Sequence, residues 1–198
     1  MIEYIPWGKI GQFANLKLKN ALEIPMSILL PSGCELIRSS ISGTDIDGMR
    51  EVNGFTALYE TKHVGAEFGF GQKHAMFSIL KRNGVDFLIF SRWQFHDLLD
   101  YENIPLIKDW IQAGYTRFPI PKMAFLFCLP KNKMFLTKYL QDSGIKFASA
   151  QSNQSGCICQ RFDVAFEDYS PTDYIMKPTP EWLKLAHLVD AFALENSR

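Results

Sequence analysis

Asn53-Gly54 stands between Met49-Arg-Glu-Val52 and Phe55-Thr-Ala-Leu-Tyr59, and few dipeptides restrict a chain more. A two-residue type I′ loop needs positive φ at both positions, which Asn and Gly adopt at least cost, and its twist suits antiparallel strands. The flanking segments are expected to pair as a hairpin. That pairing brings Gly43-Thr-Asp-Ile-Asp-Gly48 alongside Leu58-Tyr-Glu-Thr-Lys-His63. Glu60 and Lys62, two residues apart on a strand, project from one face. Asp47, with Asp45 as the alternative, is the carboxylate set beside them. Two acids and a lysine on one face make a site for a divalent metal ion and a water, the equipment of metal-dependent phosphodiester hydrolysis. An acid followed at a distance by acid-x-Lys is common by chance, so the weight falls on the surroundings.

Those surroundings have a definite order. Upstream, Lys9 to Leu22 reads as an amphipathic helix, with Ile10, Phe13, Ala14, Leu18 and Ala21 on its apolar face and no acid in its interior. Downstream lies the loop Gly65-Ala-Glu-Phe-Gly-Phe-Gly71, which lacks the Gly-Lys-Ser/Thr of a phosphate-binding P-loop and is expected to be a mobile loop beside the site. A helix is expected from Gln72 to Arg82, with Ala75, Met76, Ile79 and Leu80 at helical spacing and Asn83-Gly84 as its C-cap. Val85 to Phe90 then has the length of a buried strand.

In this order the chain resembles the PD-(D/E)xK nucleases, the restriction-endonuclease-like superfamily, and is nearest in look to Holliday-junction resolvases of the RecU kind. Asp47 precedes Glu60 by thirteen residues, close to the family's spacing, and Gln72 stands early in the following helix as a family glutamine does. The resemblance covers residues 8–92. Ile46 occupies the place of the name-giving proline, and Met76 stands where RecB-type exonucleases carry a tyrosine. The resemblance implies an α/β (α+β) fold whose core runs helix, three-strand meander, helix, strand, with a central mixed sheet flanked by helices. It implies Asp47, Glu60, Lys62 and Gln72 as the catalytic group. Asp47, Glu60 and the backbone carbonyl of Thr61 would hold Mg²⁺, for which Mn²⁺ could substitute, with Asp45 as the alternative ligand. DNA is the implied partner, a structured or junction form included, gripped through Lys9, Lys17, Lys19, Lys73, Lys81 and Arg82, and a homodimer is compatible with it. The function so implied is metal-dependent endonucleolytic cleavage. Its alternatives are a catalytically inactive nuclease-fold binding or assembly protein, and an unrelated α+β protein whose acidic hairpin is coincidental.

Composition bounds the remainder. A chain of 198 residues is long enough to bury a proper core in one domain; residues 8–92 are expected to form the nuclease-like core, with 93–198 an elaboration packed on it. Sixteen Phe should fill that core. Formal net charge is zero with pI near 6.9, so attraction to nucleic acid must come from a local basic patch. No apolar run reaches transmembrane length and the N-terminus lacks a basic, then apolar leader pattern; a cytoplasmic protein, without a membrane partner, is the expectation. Cys34, Cys128, Cys157 and Cys159 lack zinc-like pairing and read as reduced, buried thiols. His63 and His74 lie near the acids without an assigned role. In the C-terminal half, Gln94 to Ile111 is expected to hold one or two short helices, Met123 to Leu129 a strand, and Lys131 to Gln141 a helix stopped at Ser143-Gly144. Ser149 to Gly156 reads as a loop. Thr179-Pro-Glu opens a last helix whose core face is Trp182, Leu185, Ala186, Val189 and Phe192.

Overall fold

The computed structural model of the chain describes residues 46–166, 170, 172–173 and 180–196. Asp45, Cys34, the N-terminal helix with Lys9, Lys17 and Lys19, and Thr179 lie outside the described residues.

Asn53 (φ 52°) and Gly54 (φ 83°) both take the left-handed conformation. They join β1 (Gly48–Val52) to β2 (Phe55–His63), with Val52 opposite Phe55 and Gly48 opposite Tyr59. The expected hairpin forms. β2 passes through α1 (Phe70–Lys81) to β3 (Phe87–Asp97), which lies parallel to it; a parallel return requires such a crossover. α1 begins two residues before the expected start and ends at Asn83 (φ 56°), whose N–H bonds Leu80 O while the Gly84 N–H bonds Ile79 O. This is the Schellman pattern. β4 (Arg117–Cys128) pairs antiparallel with β3, β6 (Cys157–Ala165) with β4, and β5 (Phe147–Gln154) with β6. Among the described residues the sheet has six strands in the order β1-β2-β3-β4-β6-β5. A 3₁₀ turn (Leu98–Tyr101) and α2 (Pro105–Gln112) link β3 to β4, α3 (Lys133–Asp142) precedes β5, and α4 (Pro180–Ala186) and α5 (Leu188–Asn196) close the chain. The fold is mixed α+β, a mixed sheet flanked by helices.

Period-two alternation sorts the central strands onto two cores. Leu58, Leu88, Phe90 and Phe127 face α1 with Met76, Phe77 and Leu80. Ala57, Tyr59, Phe87, Ile89 and Leu126 face α3, α4 and α5 with Leu136, Trp182 and Phe192. A strand covered on both sides reads as an unbroken apolar run, which is why Val85 to Phe90 was legible. A smaller third core, Leu98, Ile107, Trp110, Tyr115, Phe118 and Ile120, sits under the β3–β4 connection. Cys128, Cys157 and Cys159 are free and buried, as expected; burial pushes the thiols of Cys128 and Cys159 up to about 12, so they stay protonated. Among the described residues no helix is long and apolar enough to cross a membrane.

Three expectations need correction. Ser149 to Gly156 is not a loop but most of the edge strand β5 plus the turn Ser155-Gly156 (φ 52° and 74°). Ala148 to Gln151 are exposed, so neither face gives the alternation that marks a strand; the hydrogen-bond ladder to β6 holds it, with Phe147 at its start packed on Phe162. Gln94 to Asp97 belongs to β3, ahead of the short helices. The last helix is two, parted at His187, although Trp182, Leu185, Ala186, Val189 and Phe192 are all buried as expected.

The C-terminal helices brace the hairpin. The Phe192 ring lies 5.1 Å from Phe55, 4.9 Å from Phe87 and 4.7 Å from Phe135. Buried Arg50 on β1 donates from Nε to Asp190 Oδ2 at 3.0 Å and from Nη2 to Oδ1 at 2.5 Å, with His187 Nδ1 3.2 Å from Oδ2. Burial raises the Asp190 carboxyl, but the hydrogen bond and charge of Arg50, with those of His187, outweigh it and leave the pKa below its ordinary value. Phe192→Ala is expected to remove about 3–5 kcal/mol of stability, as buried Phe truncations do, read as a lower urea midpoint. A loss under about 1 kcal/mol would show that α5 is not part of this core.

Candidate active site

Asp47 lies one residue before β1, and the register that sets Gly48 opposite Tyr59 sets Asp47 opposite Glu60. Residues directly opposite in an antiparallel pair share a face. Instead of continuing the ladder, the Asp47 side chain takes its place: Oδ2 accepts from the Thr61 N–H and from Thr61 Oγ1, both at 2.7 Å. N–H and C=O of one residue leave a strand on the same side, so the Thr61 carbonyl points to this same edge of β2.

Glu60 is 0% exposed. Lys62 Nζ stands 2.5 Å from its Oε1, yet among the described residues neither Glu60 oxygen accepts a well-directed hydrogen bond; the contact is an ion pair held by charge. Desolvation, and then the neighbouring charge of Asp47, raise the Glu60 pKa; Lys62 and the Gln72 side chain pull it down, and it settles at about 7. Three residues singled out from the sequence, Asp47, Lys62 and Gln72, thus each act on a fourth, Glu60. His63, exposed at the end of β2, stacks on Phe95 with centroids 5.5 Å apart.

The loop expected to be mobile is pinned. Phe68 packs edge-on against Phe90, Arg92 Nη1 donates to Ala66 O at 2.6 Å, and the Arg92 guanidinium lies 5.2 Å from the centre of the Phe68 ring. The loop fixes where α1 starts, and so where Gln72 stands. The basic residues assigned to DNA spread further. Lys73 is half-buried beside Gln72. Lys81 and Arg82 are exposed at the other end of α1, about 13 Å further along the helix axis at 1.5 Å per residue. The Lys81 ammonium reaches the β5–β6 turn, where its charge lowers the Cys157 thiol against the rise that burial causes. Among the described residues no group of three or more His, Cys, Asp or Glu side chains is placed to hold a metal ion.

A cleft of about 490 Å³ opens beside Asp47 and Lys62, lined also by Thr61, His63, Trp93, Phe95 and Arg117. Arg117 and Phe95 were not anticipated. Arg117 sits opposite Asp97 at the far end of the β3–β4 pair; recognising that β3 runs past Trp93 would have directed attention there. Comparison with protein-family models, with curated proteins and with solved structures finds no match.

Burial of Glu60 has a sign that can be tested. Its folded pKa of about 7 lies above the ordinary 4.5. Between these values the native metal-free protein keeps a proton that the unfolded chain has lost. Its contribution is therefore fully present below pH 4.5, declines as pH rises to about 7 and is flat above. At about 1.4 kcal/mol per pH decade the decline is about 3 kcal/mol. Glu60→Gln, which cannot ionise, should unfold at higher temperature than wild type at pH 8 and lose that decline. Parallel stability–pH curves for the two proteins would show that Glu60 is not the strained acid.

Proposed function

We propose that this chain is a metal-dependent nuclease, built on a restriction-endonuclease-like core, that hydrolyses phosphodiester bonds of DNA. One observation carries the reading: a fully buried glutamate on a central strand, opposite a second carboxylate and 2.5 Å from a lysine two residues away. An isolated buried carboxylate is costly, and here the adjacent lysine does not offset the cost, since the pKa still stands at about 7. A hairpin, a crossover helix and a parallel strand in that order support the same core.

The donor set fits a hard divalent cation. Two carboxylates and a main-chain carbonyl are the kind of oxygen ligands that Mg²⁺ takes, with water and phosphate completing its shell. Asp47 has committed Oδ2 to Thr61 and keeps Oδ1 for a ligand; with Glu60 and the Thr61 carbonyl it would hold Mg²⁺ or, in substitution, Mn²⁺. Bound there, the ion would polarise the phosphate and lower the pKa of a water. Thr61 fixes the Asp47 carboxylate through two hydrogen bonds, so little reorganisation is left to the moment of reaction. Lys62, with its side chain partly open to solvent, is the cation that would orient the attacking water or neutralise charge growing on the phosphate oxygens. Gln72 steadies Glu60 from the first turn of α1.

The test is cleavage of a panel of nucleic acids with and without Mg²⁺. Glu60→Gln and Lys62→Ala should each lower the rate about a thousandfold or more, while circular dichroism shows the fold unchanged. Glu60→Gln would then be the more stable and the less active protein at once. Wild-type cleavage by Glu60→Gln would refute the assignment; absence of cleavage on every substrate would favour the inactive binding module.

A further inference from the structure

The end of the sheet descends in steps. β2 runs four residues, 60–63, beyond the last one paired with β1, and β3 runs four more, 94–97, beyond its last partner on β2. Each step is about 13 Å at 3.3 Å per residue, and the cleft of about 490 Å³ lies in the notch they form. Trp93 backs it while fully buried, its Nε1 donating to Ser91 Oγ at 2.7 Å. Beside it the imidazole of His63 and the ring of Phe95 stack at an interplanar angle of 14°. Exposed Arg117 lines the same cleft, as does Lys62. A second pair of the same kind lies two residues before Gln72: Phe70 is 81% exposed, with its ring stacked 6.1 Å from His74. Aromatic rings left partly in water beside cationic side chains suit a ligand with flat faces and a negative charge, and the volume falls in the range of small-ligand pockets.

Resting on the nuclease reading above, we propose that the His63–Phe95 pair and Arg117 form a subsite for one unpaired nucleotide, its base against the rings and its phosphate directed toward Lys62. A base inside a duplex has both faces covered by its neighbours and cannot stack here without leaving the helix. An unpaired one can, and such stacking tolerates any base. The substrate class is therefore a single-stranded end or flap in place of continuous duplex.

Fluorescence anisotropy in EDTA separates binding from cleavage. The probes are a labelled oligothymidylate, an oligouridylate and a blunt DNA duplex of equal length, offered to wild type, His63→Ala, Arg117→Gln and Phe95→Leu. The first two substitutions fall on exposed residues and spare the core. Wild type should bind the single strands more tightly than the duplex, and Phe95→Leu and Arg117→Gln should each weaken single-strand binding about tenfold, as loss of a stacking or phosphate contact does. Duplex binding should be unaffected. The oligouridylate tells whether the nucleotide comes from DNA or RNA. Duplex bound as tightly as single strand, or all three variants binding like wild type, would overturn the subsite. The two readings fail separately. Mg²⁺-dependent cleavage lost in Glu60→Gln but untouched in Phe95→Leu and Arg117→Gln would sink the subsite alone. Selective single-strand binding, weakened in those variants, without cleavage by wild type would uphold the subsite and sink the nuclease.

Discussion

The register of one hairpin holds the site together. With two residues in the turn, Val52 must face Phe55, and every pair beyond follows, as far as Gly48 against Tyr59. Asp47 then falls opposite Glu60, and Glu60 and Lys62 point to the face covered by α1. A slip of one residue would send Asp47 to the opposite face and leave Glu60 facing a glycine. Asn53 and Gly54, at the far end of the strands, therefore set the distance between two carboxylates that they never touch. Arg50, Asp190 and the Phe192 rings hold the hairpin from the other face, so the last helices of the chain belong to the same support.

Two charge pairs in the fold have opposite outcomes. Arg50 and Asp190 meet through two directed hydrogen bonds, and Asp190 remains partly exposed; attraction exceeds desolvation and the acid ionises more readily than usual. Lys62 meets Glu60 through one short contact while Glu60 loses water altogether and faces Asp47. There desolvation and like charge prevail. A second cation would reverse the balance by favouring both carboxylates in their charged form. Local strain of this kind, in a fold otherwise well satisfied, is where functional chemistry is commonly found.

What the sequence made legible follows the range over which each signal acts. The Asn-Gly turn, the Asn83-Gly84 cap and the strand around Phe87 to Phe90 depend on neighbours along the chain, and they stand where expected. β5 was missed because Ala148 to Gln151 are exposed, so no burial pattern was imprinted on them. The tail of β3 was missed because Gln94 to Asp97 leaves the double-sided core and acquires polar and aromatic residues together. Arg117 reaches the site through pairing with Asp97, twenty residues away, with two short helices between. No local pattern could announce it. Lys81 and Arg82 illustrate the converse: the resemblance set them near the site, and the length of α1 carries them to its other end.

On the proposed reading, a chain of zero net charge has no overall charge with which to draw nucleic acid from a distance, and recognition would be made at short range. The stepped end of the sheet offers a means. It places Lys62, His63 and Arg117 on one cleft, while Glu60 is out of solvent. A continuous duplex presents phosphates on two strands and asks for a broad basic face, whereas Lys81 and Arg82, expected to share in gripping it, stand at the other end of α1 from Gln72. A single strand asks for less: one line of phosphate and a ring for each exposed base. The neutral composition, which looked like an argument against a nucleic-acid enzyme, is thus more compatible with a protein that grips one strand at a time.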